Sequence, residues 1–181
     1  MFVLGHVGIG VALAAPRLAE DRSTVRWLVL GTMLPDFLDK PLYYALSLLT
    51  GRAGADLGLI STTRTFGHTL AFLLLLYVVL PRRFAVPLAS GMLTHLFLDE
   101  MGDLFGFFWP RPGPPRTGPA TAAAILFPLL GPHFPVLPFA SASEHVRALV
   151  DPYTMLGEAV GAVLIFRNRA RLRDAFSRKP S

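Results

Sequence analysis

The chain has 181 residues, 52% hydrophobic and only 16% charged, against roughly 25% charged in an ordinary soluble domain. Water is therefore not its sole solvent, the absence of cysteine excludes disulfides and thiolate metal ligands, and the length fits one domain. The net charge of +5 does not mark a nucleic-acid surface, because the arginines gather at the ends of apolar runs and in the C-terminal tail, where membrane proteins place them.

The first apolar run, residues 2–19, lacks the basic stretch that opens a signal peptide and carries His6 in its place, so it reads as a retained helix. Further runs follow at 27–49, 66–80, 84–108 and 152–166. Several fall short of the roughly 20 residues that cross a bilayer, and buried core helices are the alternative for those. The reading is an all-α integral membrane helical bundle of about five spans. Residues 110–150 differ: PRPGPPRTGP is followed by ILFPLLGPHFPVLPF, an apolar segment that prolines break. Proline removes backbone donors and kinks helices, which predicts an outer cap or re-entrant segment here rather than a sixth span. Residues 1–168 form one membrane domain in this reading, and 169–181 a basic cytoplasmic tail. There is no internal repeat and no glycine-rich phosphate loop.

With the tail inside, five spans put eleven basic residues on the cytoplasmic side (Arg17, Arg22, Arg26, Arg82, Arg83 and the tail) and five outside, Arg52, Arg64, Arg111, Arg116 and Arg147. The positive-inside rule then places the N-terminus outside, in a multi-pass membrane protein.

Ionisable residues inside apolar runs cost about 2.5–3.5 kcal/mol each on insertion scales and are functional suspects. His6 opens the first run, Asp36 and Asp39 lie midway through the second, His68 opens the third, and His95 and Asp99 lie in the fourth. His95 and Asp99 are four apart and share a helix face, as two ligands of one ion must. Pro35 frees backbone carbonyls beside Asp36. On the arginine-based orientation all six converge on the outer side. Singly, each has a plainer reading: interfacial histidines for His6 and His68, a hydrogen-bonded couple for His95 and Asp99, a turn residue for Asp36. Six on four runs would need six separate excuses.

An early Gly-His (His6), then G-x-x-L-P-D (Gly31–Asp36) with Asp39, R-x-x-x-H-[ST] (Arg64–Thr69), H-x-x-x-D (His95–Asp99) and Trp109–Pro110 together resemble the YdjM-like membrane-bound metal-dependent hydrolases. The resemblance covers about residues 3–110. It implies an inner-membrane hydrolase. The usual third motif reads H-R-G-x-T-H-S, and Thr63 stands here in place of its first histidine, which bears on the number of ligands. The order of histidines and aspartates is also similar, more weakly, to the all-helical zinc-dependent phospholipase C and P1 nuclease class, and that points to a phosphoester. In such proteins later His and Glu residues complete the site: Glu158 and His145 are the candidates, with Glu144 beside the latter, while His133 reads as a surface residue.

The expected metal ligands are His6, Asp36, His68, His95 and Asp99, holding a divalent ion, zinc first, which lowers the pKa of water toward about 7. Asp39 either bridges, orients a histidine ring or takes a proton from water, and Arg64 either clamps an anionic phosphate or is an interfacial arginine. A membrane lipid or lipid-linked headgroup is the expected substrate. The rivals are a metal- or proton-coupled transporter, which would spread polar groups over both halves of the membrane, and a non-catalytic scaffold using its basic tail.

Overall fold

The structure, a computed structural model, describes residues 3–18, 21–108, 122–131, 133–134 and 152–177. Every regular element among them is helical. In chain order these are α1 (Val3–Leu18), α2 (Arg22–Thr50), a 3-10 stretch (Gly54–Ile60), a 3-10 turn (Phe66–His68), α3 (Leu70–Val79), α4 (Arg82–Phe108), the short α5 (Ala122–Ile125), α6 (Pro152–Arg167) and α7 (Arg169–Phe176).

Local chemistry sets the ends of the long elements. Asp21 caps α2 by accepting the Thr24 amide at 2.7 Å, and Gly51 ends it at φ 67°, returning its own N–H to Ser47 O. Thr69 caps α3 by accepting the Phe72 amide at 3.0 Å. Thr69 also closes the preceding 3-10 turn, its amide donating to Phe66 O at 3.2 Å, which holds His68 directly ahead of α3.

The all-helical architecture agrees with the sequence reading, but the five membrane spans do not survive. No described helix is long and apolar enough to cross a membrane. α1 and α6 have 16 residues each and α3 has ten. α2 and α4 are long enough, but α2 carries Asp36, Asp39 and Lys40 at its middle, and α4 carries Arg82 and Arg83 at one end and Asp99, Glu100 and Asp103 toward the other. The orientation inferred from the arginines had those spans as its premise and loses it. Most of the proline-rich segment read as a cap lies outside the described residues. Within it, Ala122–Gly131 forms α5 and a turn, Phe134 is buried and His133 is exposed.

The bundle is organised by close backbone approach. α2 packs on α4 where Gly31 faces the Leu88 carbonyl: a Cβ at Gly31 would lie 2.1 Å from that oxygen, and Gly91 on α4 sits as tightly against Leu28 O. α1 meets α6 in the same way through Gly8 and Gly161. Val11 and Ala15 of α1 and Leu28 of α2 form a buried apolar core beside these contacts, with Leu172 of α7 packed on it. The start of the segment read as a tail is thus folded, and Arg22 clamps Asp174 through two hydrogen bonds of 2.7 and 3.1 Å. Outside, large apolar side chains including Leu48, Leu49, Leu74, Val78, Phe97, Leu156 and Phe166 are exposed.

Candidate metal centre

Four elements deliver the site. His6 comes from α1, Asp36 and Asp39 from α2, His68 from the 3-10 turn, and His95 and Asp99 from α4; all six are buried. Two overlapping groups of donors result, His6 with Asp36 and His95, and His68 with His95 and Asp99, and in each the candidate ligand atoms lie within 4.8 Å of one another. The five residues expected as ligands are therefore neighbours.

The histidine rings are oriented by what their other nitrogens touch. His68 Nδ1 is 2.7 Å from Asp39 Oδ2, and Asp39 also accepts the amides of Thr65, Gly67 and His68 at 2.7, 3.0 and 3.2 Å. That carboxylate holds both the turn and the ring. His95 Nδ1 lies 2.8 Å from the Thr32 carbonyl; a carbonyl only accepts, so Nδ1 carries the hydrogen and Nε2 keeps its lone pair. Thr32 lies one turn before Asp36 on α2, so the helix that supplies that carboxylate also aims the His95 ring. His68 Nε2 and His95 Nε2 then meet at 3.2 Å. His6 stacks on His95 with ring centroids 3.9 Å apart.

Around these nitrogens stand two carboxylates. Asp36 Oδ1 is 3.6 Å from His68 Nε2 and 3.9 Å from His95 Nε2, while Asp99 Oδ2 is 3.6 Å from both. Each carboxylate is backed by a cation: Lys40 Nζ lies 2.5 Å from Asp36 Oδ2, and Arg64 reaches Asp99 through Nε at 3.2 Å and Asp103 through Nη1 at 2.6 Å.

The electrostatics follow from this crowding. Burial alone would lower the His68 pKa, but hydrogen bonds that its ring donates to Asp36, Asp39 and Asp99 carry it up to about 10. His95 goes the other way, pushed down to about 3 by burial and the neighbouring His6. Burial acts to raise Asp39, and His68 with the Gly67 and Thr65 amides outweighs it and holds the carboxyl below its usual range. The His68 ring is thus favoured in its protonated form, with its Nε2 facing Nε2 of a neutral His95.

A test of whether these residues suit a metal comes from His6. Its ring is fully buried, and neither nitrogen has a hydrogen-bond partner; Nε2 is 3.4 Å from Asp99 Oδ1 without hydrogen-bond alignment. Leaving a buried polar group unsatisfied costs about 1–3 kcal/mol. Imidazole nitrogens and carboxylate oxygens are the donors that zinc and similar divalent ions accept, so the donor set fits.

The chain matches the family model described as YdjM inner membrane protein over residues 1–167. It belongs to the YdjM family. Membership points to a membrane setting and is consistent with a metal-dependent hydrolase. No curated protein and no solved structure matches the chain, so the weaker similarity to the phospholipase C and P1 nuclease class gains no support.

Other expectations fare differently. Glu158 of this YdjM protein accepts the amides of Leu4 and Gly5 at 3.1 and 2.9 Å, capping the start of α1 rather than joining either donor group. His145 and Glu144 lie outside the described residues. Thr63, where the family motif has histidine, is buried. Lys40, Thr32 and Asp103 were not singled out in the sequence. Spacing offered a signal for two of them, since Lys40 follows Asp36 by four residues and Asp103 follows Asp99 by four, on the same helix faces.

Proposed function

We propose that this protein is a membrane metal-dependent hydrolase whose centre is built from His6, Asp36, His68, His95 and Asp99. The observation that carries the reading is the meeting of three buried imidazoles, one with both nitrogens unsatisfied, between two carboxylates. A divalent cation such as zinc, when held there, polarises a carbonyl or phosphoryl oxygen and makes hydroxide available near neutral pH. The protein's own part is orientation. Asp39 and the Thr32 carbonyl set the His68 and His95 rings, so Asp39 acts as a positioning residue; with three amides and a ring nitrogen on it, it is poorly placed to take a proton from water.

The substrate we propose is an ester, a phosphoester first, of a lipid or lipid-linked molecule. Two features support this. Lys40 and Arg64, both partly exposed, stand at the edge of the cluster as positive charges, and the outer surface is rich in exposed leucine, valine and phenylalanine suited to lipid contact. The test is purified full-length protein with elemental analysis and hydrolysis of phosphoester and lipid phosphoester substrates, beside His95→Ala. Zinc and activity should both be present in the native protein and absent from the variant. Metal content no greater than in the variant would end the reading, and activity confined to soluble esters would remove its lipid part.

A further inference from the structure

We infer that the centre takes one divalent cation rather than a pair, with Lys40 and Arg64 supplying the positive charge that a second ion would bring. This rests on the metal reading above and goes beyond it by fixing the number of ions.

The first argument is lone-pair arithmetic. Both donor groups need His95. Its Nδ1 is committed to the Thr32 carbonyl, which leaves Nε2, and one imidazole nitrogen has one lone pair and does not bridge two cations. His68 is limited in the same way, with Nδ1 on Asp39. The two overlapping groups are alternative descriptions of one site.

The second argument is distance. Two nitrogens each about 2.0–2.1 Å from a tetrahedral ion lie about 3.3 Å apart. The His68 and His95 Nε2 atoms are separated by 3.2 Å, and their distances to Asp36 Oδ1 and Asp99 Oδ2 run from 3.6 to 3.9 Å. The nitrogen pair has the spacing of two ligands on one ion, and the carboxylate oxygens stand a few tenths of an ångström farther out, close enough to share that ion.

The third argument concerns the carboxylates. Two-ion sites hold their ions about 3.5–4 Å apart and need carboxylate oxygens with free faces to span them. Here Asp36 Oδ2 is taken by Lys40, Asp99 Oδ2 is shared with Arg64, Asp103 is held by Arg64, and both oxygens of Asp39 accept hydrogen bonds. The groups in direct contact sum to four carboxylates against Lys40 and Arg64, a net −2 that one divalent ion neutralises.

The experiment loads the full-length purified protein with Zn2+ and separately with Mn2+, removes the excess, and measures metal per chain together with the Mn2+ paramagnetic resonance spectrum. One equivalent and the six-line signal of an isolated Mn2+ are expected. Two retained equivalents with a coupled spectrum would overturn the inference and leave the metal reading standing, whereas zinc no higher than in His95→Ala would overturn both. Lys40→Met removes a positive charge beside the ion, so zinc affinity should rise severalfold to about tenfold with the stoichiometry still one; Lys40→Arg should keep the native affinity. An unchanged or weaker affinity in Lys40→Met would refute the charge role given to Lys40.

Discussion

Asp39 and His68 are joined by a 2.7 Å contact between Oδ2 and Nδ1, and the same carboxylate gathers the amides of Thr65, Gly67 and His68. One side chain from the middle of α2 thus shapes the turn that carries the histidine and also aims its ring. Asp39→Ala should lower zinc affinity by about 10- to 100-fold, the usual effect of losing such a ring partner. It should also destabilise the protein by at least about 1–3 kcal/mol, since buried amides are left unpaired. Asp39→Asn should recover more stability than affinity. Chelator competition and thermal melting measure the two; equal recovery of both by Asn would contradict the separation.

His6 offers a different contrast, because its buried ring satisfies neither nitrogen. Replacing it with an apolar ring of similar size, His6→Phe, removes a buried unsatisfied group and should make the metal-free protein more stable by about 1 kcal/mol or more. The same change should erase the rise in melting temperature that added zinc produces in the native protein. A metal-free His6→Phe less stable than the native chain would show that the imidazole already has a partner.

Arg64 ties Asp99 to Asp103 in a largely buried trio. Arg64→Ala strands two carboxylates and should cost about 3–5 kcal/mol, as removal of one member of a buried ion pair does. Arg64→Lys should restore only part of this, since a point charge does not reproduce a fork reaching two acids. Denaturation midpoints of the three proteins test it, and a near-native Arg64→Ala would mean that the acids are hydrated.

The glycine contacts predict that spacing between helices governs the site. Gly→Ala within a helix normally gains about 1 kcal/mol of propensity, yet Gly31→Ala puts a methyl group against the Leu88 carbonyl. It should destabilise the bundle and weaken zinc binding together, because Asp36 rides on α2 and His95 on α4. Melting and zinc titration check this, and a stabilised variant with native affinity would show that α2 and α4 are less tightly apposed.

The sequence by itself determined the candidate donors and most of the helices that carry them. Histidines and aspartates stranded in apolar runs are visible without a fold, because nothing in such a run excuses their cost, and the order of the motifs identified the family. It did not determine what those runs cross. An apolar stretch reports that a helix is buried but not whether lipid or protein buries it, and Asp36 of α2 and Asp99 of α4, which interrupt their apolar stretches, both face the His68 and His95 ring nitrogens. Only the tertiary structure decided which nitrogen of His95 carries the hydrogen, that Glu158 caps α1, and that Lys40 and Arg64 back the candidate ligand carboxylates. Those relationships join residues far apart in the chain or depend on how a ring is turned. They exist only because small residues let four separate segments approach to backbone contact.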